Sequence, residues 1–436
     1  MKLKTLSTAM ILATVPMTGA FAAALDRSGQ SISAFLQPGN YAEAGISVLD
    51  ANVSGKTHSN YDAGSGNVAA AGINNSDVGS MADNYYFPTA AVKIQANENF
   101  SIGLLYDQPF GAAASYKTNT KTTPTLGAPG SAGAGISNIG VFHDGQGNGT
   151  SVEVDTHSLS LILGYQPTKN WNLYAGAVYQ QVEGNVELYG TAYGGKNGLN
   201  GYKAQIDKDG DYGWLAGIAY QIPEIALKAA VTYRSEIKHN IKIKESSSAP
   251  LESNLGTVVN MNNGGGDTNI TTPQSVNIDF QTGIMENTVA FANVRWVNWK
   301  DFSIRPYAFS KAAASATQAT GGKGFDLVAY SKDQWSANVG VGRKLSEKWG
   351  ANVSVGWDSG AGNPVTTLGP TEGYWNVGVG AQYSPAPDYF IQAGVKYFWL
   401  GDAKAQSGAQ FGTDQYIADF EGNHAIGYGL KIGYKF

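Results

Sequence analysis

Ile426-Gly427-Tyr428-Gly429-Leu430-Lys431-Ile432-Gly433-Tyr434-Lys435-Phe436 ends the chain, and its reading decides the fold. Ile426, Tyr428, Leu430, Ile432, Tyr434 and Phe436 are large and apolar, whereas Gly427, Gly429, Lys431, Gly433 and Lys435 are small or cationic. A strict period of two puts the two sets on opposite faces of a β-strand. One face suits hydrocarbon; the other suits a small, polar interior.

The same signature recurs upstream. Leu159, Leu161, Leu163 and Tyr165 alternate with Ser158, Ser160 and Gly164; Tyr212, Trp214, Ala216, Ile218 and Tyr220 alternate with Gly213, Gly217 and Ala219. Trp335 to Val341 and Trp375 to Tyr383 repeat it. Aromatic residues at both strand ends with aliphatics between them form the girdle and band of a transmembrane barrel wall. The terminal Phe436 resembles the closing signal of outer-membrane β-barrels.

The segments number about fourteen: 40–53, 83–96, 99–111, 151–167, 171–188, 211–222, 225–241, 273–285, 288–305, 327–345, 349–359, 373–384, 388–403 and 417–436. Their connections alternate between short turns, such as Asn97-Glu98 and Pro223-Glu224, and long ones, at roughly 54–82, 112–150, 189–210, 242–272, 306–326, 360–372 and 404–416. Seven long loops and six short turns are what an even-stranded barrel with both termini periplasmic requires. The expectation is all-β: an antiparallel barrel of about fourteen strands with long, polar external loops such as Thr118 to Ser137.

Composition agrees. Charged residues are 14% of the chain, against about 25% in ordinary soluble domains, as a lipid-facing surface demands. With 42% hydrophobic residues and a mean hydropathy of −0.21, no run approaches the roughly 18–20 apolar residues of a spanning helix. A net charge of −5, without a basic cluster, argues against a nucleic-acid partner. Cysteine is absent, so neither disulfides nor thiolate metal sites are available.

Residues 1–22 carry the basic start, apolar centre and Ala20-Phe21-Ala22 end of a secretory signal peptide. Residues 23–39 form a short segment before the barrel of 40–436. This segment either inserts Leu25, Ile32, Phe35 and Leu36 into the lumen as a plug or lies flat in the periplasm.

Asp211 to Tyr220, followed by Tyr233-Arg234-Ser235-Glu236-Ile237-Lys238, resembles the FadL family of hydrophobic-substrate transporters, as do Trp296-Val297-Asn298-Trp299-Lys300-Asp301-Phe302 and Trp357-Asp358-Ser359. The resemblance implies passive outer-membrane uptake of long-chain fatty acids or aromatic hydrocarbons in a Gram-negative bacterium. It also implies a lumen blocked by an amino-terminal hatch and a sideways exit beside a kinked third strand. The family's Asn-Pro-Ala hatch motif is missing from 23–40, so its gating does not transfer directly.

The exit would be bordered by Asp107, Gln108, Pro109, Phe110 and Gly111, since proline cannot donate to a ladder and glycine marks a bulge. The competing reading is that the third strand ends there. Arg234 and Glu236, two residues apart, are expected on the lumen face, either as a bracing pair or with Arg234 free for a substrate carboxylate. Trp296, Trp299 and Phe302 read as wall or girdle residues. Asp207-Lys208-Asp209-Gly210-Asp211 lacks the ligand set of a calcium loop and reads as a turn. The histidines form no nucleophile–base arrangement, so neither catalysis, a cofactor nor a metal is expected. The expected partners are a hydrophobic small molecule and outer-membrane lipid with lipopolysaccharide, around a monomer. The alternatives are a porin with a water-filled lumen and a surface receptor or adhesin acting through its loops.

Overall fold

The computed structural model describes residues 25–61, 74–116, 140–193, 199–247, 251–252, 258–259, 264–317 and 321–436. The segment 1–22 and the loop 118–137 lie outside these residues.

Fourteen antiparallel strands close into a barrel. They are β1 (Tyr41–Asn52), β2 (Tyr85–Gln95), β3 (Phe100–Asp107 and Gly111–Ser115), β4 (Ser151–Thr168), β5 (Trp171–Leu188), β6 (Tyr202–Ile222) and β7 (Leu227–Arg234 and Ile237–Ser247). The rest are β8 (Gly264–Thr272 and Ser275–Met285), β9 (Thr288–Val297), β10 (Gln334–Lys344), β11 (Trp349–Asp358), β12 (Tyr374–Ala386), β13 (Tyr389–Leu400) and β14 (His424–Lys435). Closure is made by β14 pairing with β1, from Tyr41 opposite Lys435 to Asn52 opposite His424. In lipid only a closed ladder leaves no backbone group unpaired.

The alternation of the carboxy terminus falls as read. Tyr428, Leu430, Ile432 and Tyr434 are exposed to the bilayer, while Gly429, Lys431 and Gly433 are buried. Lys431 faces the lumen, where it meets Glu43 at 3.2 Å. Leu159, Leu161, Leu163, Trp214, Trp335 and Trp375 are likewise outward. So much contiguous exposed apolar surface is tolerable only in a membrane.

Several boundaries differ from the sequence reading. β7 runs on to Ser247 and β8 begins at Gly264, so much of the expected loop 242–272 is strand, and β10 begins at Gln334 rather than 327. β6 begins at Tyr202, so Asp207 to Asp211 is strand rather than turn, with Asp211 opposite Gln180 and Asp209 opposite Val182. Its 21 residues far exceed the roughly 9–11 that cross the hydrocarbon, and above the lipid a strand can be polar on both faces. β9 ends at Val297, so Trp299 and Phe302 leave the wall. Residues Ala418–Phe420 leave β14 to join a five-stranded sheet with Ser54–Thr57, Asp77–Ser80, Val365–Thr366 and Ala403–Gln406.

That sheet and the helix Tyr307–Ala316 build a cap over the end of the barrel that carries the long connections. Trp299, Phe302, Phe309, Phe398 and Phe420 are buried in its core. A separate lower cluster, around Ile32, Phe35, Ile162, Tyr174 and Leu215, fills the lumen nearer the short turns.

Candidate functional site

The third strand does not end at Asp107; it breaks and resumes. Its lower piece pairs with β2 as far as Ala90 opposite Tyr106, and with β4 as far as Asp107 opposite Ser158. Its upper piece restarts at Gly111 opposite Asp155 and pairs only with β4. Four steps on β3 therefore face three on β4, which is a bulge at Gln108-Pro109-Phe110. On the other side Tyr85–Thr89 of β2 keep their pairing with β1 but have no ladder with β3. Among the described residues the two edges are joined by an Ala82–Ala114 bridge, where Ser115 N donates to the Met81 carbonyl at 2.7 Å, and by the Tyr85 hydroxyl, which meets the Ala113 backbone; they are otherwise unpaired. Pro88 lies on the β2 lip, and the sequence reading passed over it although it is the same signal as Pro109.

The five residues expected at the break do border it. Asp107 accepts from Ser28 Oγ at 2.6 Å, and Gln108 Nε2 lies 3.3 Å from His157 Nδ1. The Pro109 carbonyl accepts from Arg27 N at 2.7 Å, and Gly111 N donates to the Leu25 carbonyl at 2.8 Å. Phe110 is held by Thr156, whose hydroxyl accepts from Phe110 N and donates to its carbonyl, and its ring packs edge-on against Trp299 at 5.5 Å. Trp299 and Phe302, read as wall, thus form the cap core above the break.

Residues 25–39 lie inside the barrel rather than flat beneath it. Ile32, Phe35 and Leu36 are buried in the lower cluster, and Leu25 packs against the cap core. Phe35 occupies a notch that exists because two wall residues lack side chains: a Cβ on Gly103 or Gly164 would lie 2.5 or 2.8 Å from its ring. Tyr174 meets the ring edge-on at 5.7 Å.

Polar wall residues hold the backbone of this hatch. Arg295 grips Asp26 with two hydrogen bonds of 2.8 and 3.0 Å, and also binds Gln30 Oε1 and Asn277 Oδ1. Asn277 donates to the Gly29 carbonyl at 2.7 Å; Lys93 donates to Gln37 and Gly39, and Lys228 to Leu36. Both Asp26 and Arg295 are almost fully buried, so each requires the other. Arg295 was missed in the sequence reading, although it is a charge next to outward Trp296 and so on an inward strand position; Asp26 and Arg27 were hidden in a segment read only for its apolar residues.

Arg234 does face the lumen, donating to Ser160 Oγ and the Gln30 carbonyl. Glu236 does not. It points outward and pairs with Lys238 at 3.1 Å, so the expected lumen charge pair is not formed. The cause is a break in β7 at Ser235-Glu236, matched in β8 by Pro273-Gln274, beyond which Ile237, His239 and Ile241 take the inward positions. An interruption of one residue moves every later side chain to the other face.

Two cavities flank the hatch. The lower is the larger, about 200 Å³ against about 60 Å³, but Lys228, Arg234, Asp107 and Asp279 line it. The upper lies between hatch and cap, walled by Met81, Val152, Val154, Val186, Ile206 and Leu327, with Arg27 and Gly111 at its edge. It is the apolar one, and it abuts the break in the wall.

Residues 142–436 match the family described as outer membrane protein transport protein (OMPP1/FadL/TodX). No curated protein sequence matches the chain. Among solved structures, a Pseudomonas aeruginosa FadL homologue superposes with a TM-score of 0.63 at 16% identity, over 93% of this chain and 92% of that one. The Pseudomonas putida toluene transporter TodX gives 0.57 at 13% identity, over 92% and 91%. The Ralstonia pickettii toluene transporter TbuX gives 0.53 at 11%, over 97% and 98%. At such identities these likenesses concern the fold. The family match covers more than half of the sequence, and with the closed barrel it places the chain in the outer-membrane FadL/TodX transport family.

Proposed function

We propose that the protein admits hydrophobic small molecules passively, long-chain fatty acids or aromatic hydrocarbons, and releases them sideways into the membrane through the break between β2 and β3. The observation that carries this reading is the apolar cavity directly behind that break. A substrate there is already out of water, with about 25 cal/mol gained per Å² of apolar surface buried. Lipid is then one wall thickness away. Passage straight down the lumen would instead cross the ring of charged groups around the hatch. In this reading the hatch residues Leu25, Ile32, Phe35 and Leu36 plug that axial route. The barrel acts as a monomer among outer-membrane lipid and lipopolysaccharide. The water-filled porin is disfavoured because residues 25–39 and the cap fill the lumen.

The test is saturable binding of a fluorescent long-chain fatty acid to the purified barrel in micelles, with oleate, toluene and maltose as competitors. Oleate or toluene should displace the probe and maltose should not. Displacement by maltose alone would sink the reading.

A further inference from the structure

One hatch side chain stands in the break itself. The Arg27 guanidinium lies over the Tyr85 ring at 4.4 Å and 5.6 Å from the Phe87 ring, both on the β2 lip. On the other lip it passes over Gly111, where a Cβ would lie 2.2 Å from its Cζ. Its Nη1 then reaches Asp155 at 2.9 Å. Asp155 belongs to the outward set of β4, between buried Val154 and Thr156. Arg27 therefore starts in the lumen and ends on the outer face of the wall. It is 5% exposed, and among the described residues its Nη2 has no hydrogen-bond partner.

The hatch backbone is fastened far more firmly than this side chain. Asp26–Arg295, the Asn277, Lys93 and Lys228 bonds and the Phe35 notch all persist if Arg27 merely rotates. Arg27 is thus the hatch side chain that stands between the upper cavity and the two lips of the break. The charges decide what can swing it. Asp155 is 35% exposed and can be left to water, but a buried guanidinium cannot be left without a counter-ion. A carboxylate arriving in the upper cavity supplies one, and forks onto the free Nη2 as well. A neutral hydrocarbon supplies nothing in exchange.

We propose that the Arg27 side chain, rather than the hatch as a body, closes the wall, and that the anionic head of an amphiphilic substrate opens it by drawing the guanidinium off Asp155. This rests on the transport reading above.

The test uses uptake of oleate and of its methyl ester by outer-membrane-expressing cells that lack other hydrophobic-compound channels. Heat-modifiable gel mobility confirms that each variant is folded. Because the chain has no cysteine, Ser31→Cys in the hatch and Asn338→Cys in the wall can be joined by a reducible thiol linker across the lower cavity they both line. The wild type should favour oleate about tenfold over the ester, and Arg27→Gln should bring the two within about twofold. Arg27→Lys, which keeps the charge without the fork, should fall between them. The linked hatch should keep oleate uptake whether or not the linker is reduced. Uptake abolished by the linker and restored by reduction, or an oleate preference intact in Arg27→Gln, overturns the proposal. A wild type that admits and binds neither probe overturns the transport reading itself.

Discussion

Buried charge in this protein is arranged residue by residue, and each instance has a distinct consequence. Asp26 and Arg295 neutralise one another with two-pronged geometry deep in the barrel, which fixes the hatch. Glu372, in the connection between β11 and β12, is different. Its Oε1 accepts a long 3.3 Å bond from Gly362 N, and among the described residues its Oε2 is buried without a hydrogen-bond partner. Burial pushes its carboxyl up to about 7, with the Gly362 N–H and the Lys332 charge pulling the other way. A carboxyl raised in the folded state holds its proton more tightly there than in the unfolded chain. Its contribution is therefore complete below the ordinary value of 4.5 and is lost as pH rises through about 7. Amide exchange across residues 360–373, corrected for the intrinsic rate, should become faster between those limits. Glu372→Gln should flatten that dependence, and an unchanged dependence would exclude Glu372 as its source.

Elements were legible where the period of two ran without interruption, and illegible where it shifted or served something other than lipid. The two faces of β14, β12 and β10 are read correctly from alternation alone, because lipid on one side and lumen on the other impose it. The break in β7 moved Glu236 to the outer face although its sequence alternates cleanly with Arg234, because the interruption is set jointly with Pro273-Gln274 on the neighbouring strand. Strand 417–436 was drawn too long because Ala418–Phe420 has strand character but pairs in the cap. The helix Tyr307–Ala316 was missed because its amino terminus has no local signal: Pro306 offers no side-chain cap. The cap comes from another element. Glu245 on β7 accepts from Ala308 N at 2.6 Å and Phe309 N at 2.7 Å, and also from the Tyr202 hydroxyl. A carboxylate there satisfies two orphan donors and the positive end of the helix dipole. Glu245→Ala should loosen the helix by about 1–2 kcal/mol, the usual worth of an N-cap. Amide exchange within 307–316 should rise accordingly while the barrel strands stay protected. Equal loosening of β7 would show that Glu245 supports the wall instead.

At the scale of the whole molecule, the wall and its contents are separable. Every closure pair lies between 41–52 and 424–435, and none comes from the hatch. The barrel ladder should therefore survive removal of residues 25–39, although the lower cluster would lose Ile32, Phe35 and Leu36. The wall cations that now serve the hatch, Arg295, Lys93 and Lys228, would lose those partners and draw water into the lower lumen instead. Asn277, 4% exposed beneath Gly29, reports this directly. Introduced as the sole cysteine, Asn277→Cys should be protected from a charged, water-soluble thiol reagent in the full chain. It should be labelled at nearly the rate of a free thiol once 25–39 are deleted, with heat-modifiable mobility retained in both. Protection that persists after the deletion would mean that the wall collapses onto the vacated space, and loss of the folded band would mean that hatch and wall fold as one unit.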